Sequence, residues 1–586
     1  MEPYRHFTLA SYMFAYYAAK ASDEEIRRGV CQYLQHLPLK KVYLENHRGT
    51  VDVPVSRLRE IKALLESYGL TVSGGITSTV LVDDVQKPNI FDTFCYTDPR
   101  HRETYLNIVR EAASVFDEII LDDFFFTSCR CEMCIQAKGA LSWKDFRQQQ
   151  MTEFSREMVA EAKRINPRMN FIIKYPNWYE SYHECGYTPM TQRDIFDMIY
   201  TGTETREPFY AAQHLQRYES YSLMRLLENT APGRNGGGWI DLGGSSDNIS
   251  RWLEQAEFTL LAGAKELTLF NFPGLLDTPA LFAMEPVLRR VDTFLEHAKK
   301  PVGAAVWEPF DADGEDQLCS YLGMCGAALE LFPDFPEDAP VVLLTQRAAC
   351  KPDAMEKLET YVRRGGTAVV TIGFFHEMYE RGIQDMTSVR LTHRHVMGQE
   401  YMIDRIDHDY TGVSYAKGAQ PVMFEALDYK TNATWADILM LAGEDNFPVL
   451  TEDYYGQGRL LILNVPENFA DLYQLPEDVI RNINSILSVG HGVYLGSEPK
   501  ASLISYEDEI LCVHSFRPML SKMHVVVRDT CRGLKDLETG AIYTQSLQLP
   551  GPSKRGDAAR TRTAPSEYAF DVPVGPGRSV YLEILR

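Results

Sequence analysis

The chain has 586 residues, 45% hydrophobic and 24% charged, which is too long for one hydrophobic core and too apolar for wholesale disorder. A formal net charge of −22 sets it against nucleic acid and anionic membranes, both of which would repel it. Its 11 cysteines are an odd number, and the N-terminus shows no basic region leading into an unbroken apolar core, so a reducing cytoplasm is expected instead of a disulfide framework, with no spanning helix.

The first 300 residues alternate short β-rich runs with helical stretches, the pattern of parallel βα units. Eight runs read as strands: 7–14, 41–45, 70–76, 118–123, 170–175, 197–202, 238–243 and 266–272. Among the helices between them, one starts at Ser22 with Glu25 three residues later, a capping box, and another ends on Gly69. Eight strands, each followed by a helix, predict a closed (β/α)8 TIM barrel over 1–300. An open doubly wound sheet is the alternative, but no Gly-rich dinucleotide fingerprint follows any strand, and no organic cofactor is expected.

A boundary falls near Lys299–Lys300–Pro301. Strands at 303–309, 341–345 and 367–373 flank an amphipathic helix carrying Met355, Leu358 and Val362 on one face. With 456–466 and a helix over 476–487 they predict a second, smaller α/β domain over 301–488, Rossmann-like in its winding. Beyond it the helical period vanishes, and short alternating strands predict a C-terminal β-sandwich over 489–586. The polar stretch 551–566 reads as a surface loop. Cys319, Cys325, Cys350, Cys512 and Cys531 read as small buried residues.

In a barrel, chemistry sits at the C-terminal ends of the strands. There the chain places Glu45 and Arg48 after strand two, Asp122 and Asp123 after strand four, and Lys174 and Trp178 after strand five. Glu204 and Arg206 follow strand six, Asp241 strand seven and Asn271 strand eight. Carboxylates, a few cations and aromatics around one mouth suit a hydroxyl-rich sugar, with aromatic faces covering its apolar side. Cleaving a glycosidic bond takes two carboxyl groups in different environments, one protonated and one ionised. Asp122 or Asp123 can supply one, and Glu204 and Asp241 compete to be the other. Because barrel strands are buried on both faces, hydrophobic alternation leaves open which of Asp122 and Asp123 points inward.

Cys129, Cys131 and Cys134 form C-x-C-x-x-C just after strand four, a spacing that can bring three sulfurs to one tetrahedral ion. Cys95 is a candidate fourth ligand, with Cys185 or His183 as substitutes. Four thiolates would make a closed, structural zinc site.

The segment 121–149 resembles the region after strand four of glycoside hydrolase family 42 β-galactosidases, where an Asn-Glu pair precedes a C-x-C-x-x-C zinc loop and a helix. On that resemblance Asp122 takes the Asn position, Asp123 that of the acid/base Glu, and Cys95 is the distant fourth ligand. The second domain is similar to that family's amidotransferase-like domain, which mediates trimer assembly, so a homo-oligomer (trimer or dimer) is implied. The chain departs from the pattern in having Asp123 for Glu, and Asp241 where the family has its nucleophilic Glu on strand seven. An acid on strand six after an Asp on strand four is also reminiscent of α-galactosidase-type barrels, which would make Asp122 or Asp123 the nucleophile and Glu204 the proton donor.

The expectation is therefore a cytoplasmic glycoside hydrolase that removes a terminal sugar from a small oligosaccharide or glycoside. Asp123 acts with Asp241 or Glu204, while Glu45, Arg48, Lys174, Trp178, Arg206 and Asn271 contact the substrate. A glycoside phosphorylase and a catalytically degenerate sugar-binding protein are the alternatives.

Overall fold

The computed structural model describes residues 1–80, 92–206, 215–243, 248–404, 413–549 and 567–586. The chain divides into two compact units, Met1–Glu296 and His297–Arg586. No described helix is long and apolar enough to cross a membrane.

The first unit is the barrel. Its strands are β1 (Thr8–Met13), β2 (Lys41–Gly49), β3 (Thr71–Val80), β4 (Glu118–Leu121), β5 (Asn170–Tyr175), β6 (Met198–Gly202), β7 (Asn235–Asp241) and β8 (Glu266–Phe270). Each pairs in parallel with the next, and β1 pairs with both β2 and β8, Ala10 standing opposite Lys41 on one side and Thr268 on the other. The ring is closed, as the spacing of the sequence predicts, and this excludes the open sheet. The capping box forms, with the Glu25 backbone N–H donating to the Ser22 hydroxyl and the Ser22 backbone N–H donating to the Glu25 carboxylate. Ser142 caps the 23-residue helix Trp143–Ile165, its hydroxyl accepting from the Asp145 N–H.

The filled interior of the barrel fixes the phase that the sequence leaves open. Tyr12, Tyr43, Ile120, Ile172, Tyr200 and Trp239 cluster in its centre. Side chains in a strand alternate faces, so the residue two further on points the same way. From Tyr43 that step reaches Glu45, from Ile120 Asp122, from Ile172 Lys174 and from Trp239 Asp241; two steps from Tyr200 reach Glu204. The polar mouth is therefore the next layer above the apolar core. Asp122 is the inward member of its pair, and Asp123 already lies in the turn beyond β4. Glycines make room for this packing: a Cβ on Gly75 would come within 2.6 Å of the Tyr12 ring, and one on Gly202 within 2.7 Å of the Glu204 carboxylate.

The second unit holds a nine-stranded mixed sheet. Its parallel part comprises β9 (Ala304–Trp307), β10 (Leu329–Phe332), β11 (Val341–Leu344) and β12 (Thr367–Thr371), joined by Gly458–Leu463. To this the structure adds four antiparallel strands absent from the sequence reading, Arg390–Asp404, Val413–Asp428, Trp435–Ala442 and Asp445–Tyr455. A six-stranded and a four-stranded antiparallel sheet follow. Leu503, Leu511, Val513, Val525, Val527, Phe570, Val572 and Leu582 form their shared apolar core, as in a β-sandwich. The short strand Pro301–Val302 pairs with Ser505 and Tyr506, so the C-terminal sheet draws its edge from the start of this unit. Cys319, Cys325, Cys512 and Cys531 are buried as expected, but Cys350 is exposed. It sits just past a four-residue helix, Gln346–Ala349, as its C-cap. The loop expected over 551–566 lies outside the described residues.

Candidate active site

The mouth of the barrel is a lattice of acids and cations. Lys174 Nζ lies 2.8 Å from Asp123 Oδ2, 3.0 Å from Glu204 Oε1 and 3.5 Å from Asp122 Oδ1. Arg48 reaches Asp122 at 2.7 Å and Glu45 at 3.0 Å. Arg206 pairs with Asp241 at 2.7 Å, and the Gly243 N–H also donates to Asp241, at 2.9 Å. Strand adjacency explains the arrangement: Lys174 on β5 stands between β4, which delivers the two aspartates, and β6, which delivers Glu204.

Burial separates the roles these acids can take. Glu45 has no exposed surface and accepts from Tyr12 Oη at 2.7 Å, the Ala15 N–H at 2.6 Å, Thr77 and Arg48. It is an anchor for Arg48, sealed from any sugar. Asp122 is nearly as enclosed, accepting from Thr77 at 3.0 Å and from the Asp123 N–H at 2.9 Å. Burial alone would raise the Asp122 carboxyl, but Lys174 and Arg48 outweigh it and hold the group well below the usual carboxylate range. Asp123 is the more open of the pair, its side chain 18% exposed. Desolvation raises it, against the pull of Lys174 and with help from the Asp122 charge. Two adjacent carboxyls are thus driven apart, the arrangement that lets one site hold an acid beside a base.

Glu204 is the other raised group. Burial pushes it up to about 7 despite Lys174, and the negative charges of Asp241 and Asp123 push the same way. Its Oε2 is buried without a hydrogen-bond partner among the described residues. A carboxyl raised in the folded state contributes fully below its unfolded value, and stability is lost as pH rises through the folded one. Wild-type stability should therefore fall between about pH 5 and pH 8 by on the order of 1–3 kcal/mol through this group. Glu204→Gln should flatten that decline in denaturant unfolding, whereas parallel curves for the two proteins would mean an ordinary, ionised Glu204.

The remaining expected contacts are placed as follows. Trp178 is partly exposed and packs edge-on against Phe126, 5.3 Å between ring centroids, with Tyr182 and Tyr187 beside it. Asn271 caps the short helix Phe272–Leu275, its Oδ1 accepting from the Gly274 N–H at 2.7 Å. Five partners escaped the sequence reading. Tyr12 and Thr77 hold the acids, Asn177 donates to the Glu204 backbone carbonyl at 2.6 Å, and Tyr187 donates to that of Asp123 at 3.0 Å. The fifth is Trp239, whose ring lies 4.5 Å from the Lys174 ammonium. Thr77 carried a visible signal, a hydroxyl in the run after β3's two glycines.

Beside the mouth, the sulfurs of Cys95, Cys129, Cys131 and Cys134 all lie within 4.8 Å of one another, a group that could hold a metal ion. Cys95 Sγ is 3.7 Å from that of Cys131 and 3.6 Å from that of Cys134. Four sulfurs about 2.3 Å from a central ion stand roughly 3.8 Å apart at tetrahedral angles, so the donor set fits. Cys95 fills the fourth place. Cys185 and His183, offered as substitutes, lie outside this group.

Residues 1–290 match the family described as "Probable glycosyl hydrolase, catalytic domain". An uncharacterized protein of Saccharolobus solfataricus is 26% identical over 404 residues, 62% of this chain and 66% of its own length. The chain thus spans a little under two thirds of the curated relative it matches. Among solved structures, the β-galactosidase of Bacillus circulans sp. alkalophilus superimposes with a TM-score of 0.64 at 11% identity, covering 99% of both chains. The GH42 β-galactosidase Gan42B of G. stearothermophilus, as a catalytic mutant, gives 0.65 at 11%, again over 99% of both. The first 290 residues therefore carry a glycosyl hydrolase-like catalytic domain, and the chain as a whole has the fold of the GH42 β-galactosidases.

Proposed function

We propose that the chain is an exo-acting glycoside hydrolase that retains anomeric configuration, with Asp123 as general acid/base and Asp241 as nucleophile. The observation that carries this is the contrast between the two more open acids of the mouth. Desolvation and the Asp122 charge favour a proton on Asp123, whereas Asp241 is held by the Arg206 guanidinium and a backbone N–H. An Asp241 oxygen attacks the anomeric carbon as the glycosidic C–O bond breaks, and the departing oxygen takes the Asp123 proton. The Asp123 carboxylate then removes a proton from water, whose oxygen displaces Asp241 from the sugar.

The three cations at the strand ends, Arg48, Lys174 and Arg206, are each matched to carboxylates. That leaves little positive charge for a uronic acid, a sialic acid or an attacking phosphate, and it supports a neutral sugar with water as acceptor. The two structural neighbours above are β-galactosidases by name, which makes β-D-galactosides the first substrates to try. Four thiolates at tetrahedral spacing favour zinc in a structural role, and the nine-stranded sheet is the candidate surface for self-association.

Glu204 favours a second assignment within the same reaction class. A carboxyl near 7 with an unpartnered oxygen suits a proton donor, and Asp123 would then be the nucleophile. One experiment tests both. A panel of aryl glycosides of both anomers, with and without phosphate, should yield one hydrolysed class. Asp241→Gly with azide should then give a glycosyl azide of inverted configuration, because the small anion fills the space of the lost nucleophile. An inverted azide from Asp123→Gly would transfer that role to Asp123, and an inactive panel would overturn the hydrolase reading.

A further inference from the structure

Lys174 stands at the centre of the mouth, yet its surroundings differ from those of a residue that greets a substrate. It is 1% exposed. An ammonium carries three N–H donors, and three carboxylates surround it, Asp123 at 2.8 Å, Glu204 at 3.0 Å and Asp122 at 3.5 Å. The face of Trp239 lies against it at 4.5 Å. A sugar hydroxyl could bind the ammonium only by displacing a carboxylate.

We infer that Lys174 is the positioning residue of this site: its ammonium clamps Asp123 and Glu204 from the strands on either side and sets where the reacting carboxyl points. The inference rests on the reading of the mouth as a glycosidase site. The geometry follows from the barrel itself, because a long cation at the end of β5 is the one side chain with β4 and β6 as immediate neighbours. Arginine has a planar fork, but lysine offers a compact charge with three donors in different directions, which suits three separate carboxylates.

Every charged group facing the clamp bears on its consequence. Asp122 and Asp123 come from β4, Glu204 and Arg206 from β6, Arg48 from β2 and Asp241 from β7. Lys174 favours the ionised form of Asp122, Asp123 and Glu204 alike. Removing its charge raises all three: with Asp123 as the acid the basic limb of a bell-shaped pH profile must move to higher pH, and with Asp123 as nucleophile and Glu204 as donor both limbs must.

The test compares Lys174→Met and Lys174→Arg with wild type on whichever aryl glycoside is hydrolysed. Lys174→Met should lower kcat by about 10²-fold or more and leave KM within about threefold, with the basic limb displaced upward. Lys174→Arg should return that limb towards its wild-type position. A raised KM with unmoved limbs would make Lys174 a substrate contact and overturn the clamp, as would an unchanged profile at reduced kcat. A second measurement needs no turnover. In protein labelled with ¹⁵N-lysine, the Nζ that shifts when Asp123 is replaced by Asn should stay protonated well above the usual value of about 10.4 in wild type. If every lysine titrates ordinarily, the clamp is absent whatever the enzyme's activity. If the displaced lysine is found and no glycoside is cleaved, the clamp stands and the hydrolase reading fails.

Discussion

Asp123→Asn is expected to lower kcat/KM about 10²–10⁴-fold on a glycoside with an alkyl or sugar leaving group, and far less on a dinitrophenyl glycoside. The asymmetry comes from the proton. An alkoxide is too basic to depart unaided, so the first bond cleavage depends on the acid; dinitrophenolate departs without help. Deglycosylation still needs a base, so turnover of the activated substrate should stall at the glycosyl-enzyme. Azide should rescue it with retained configuration, because an anionic nucleophile needs no proton removed. Asp122→Asn is the informative control. Asp122 meets Arg48, Thr77, Lys174 and the Asp123 N–H, so its loss should slow both substrates together. Equal losses on both leaving groups for Asp123→Asn would remove it from proton transfer and leave Glu204 as the donor.

The barrel was legible because its strands and helices recur at a spacing that one closed topology satisfies, with a capping box and helix-ending glycines marking the joins. The inward member of the Asp122–Asp123 pair was not. Strands buried on both faces read as continuous apolar runs, and only the packed layer of Ile120, Ile172 and Trp239 sets the phase. Partners were hidden for a different reason: Arg48 and Asp122 are 74 residues apart, and Lys174 and Asp123 are 51 apart, so their pairing depends on which strands lie side by side in the fold. Asn271 did carry a local signal. An Asn followed by Phe-Pro is a helix start, and its cap could have been read from the chain. The four antiparallel strands from Arg390 to Tyr455 were missed because their exposed faces break the alternation that marks a half-buried strand. Along Val413–Asp428, Tyr415 is 71% exposed, and apolar residues fall on both faces.

Stripping metal from the Cys95–Cys129–Cys131–Cys134 cluster should have the largest effect on stability. Three of the four cysteines are buried, and they join two segments 34 residues apart, the loop before helix Pro99–Ala113 and the loop after β4. Without an ion, four thiols at contact distance make poor partners, and thiolates there would repel one another. With one, the same atoms form a covalent-strength crosslink that only the folded state can present. A metal held at a thousand times its dissociation constant stabilises the fold by roughly 4 kcal/mol. The protein should therefore carry about one zinc per chain by elemental analysis. Strong chelation, or Cys134→Ser, should cost several kcal/mol in denaturant unfolding. The loop after β4 also begins at Asp123, so activity should fall before the barrel melts, and leaving-group dependence should weaken as the acid loses its fixed position. A protein that purifies without metal, and whose stability ignores chelator, would make these cysteines a packed cluster of thiols and leave Asp123 held by Lys174, Tyr187 and Asp122.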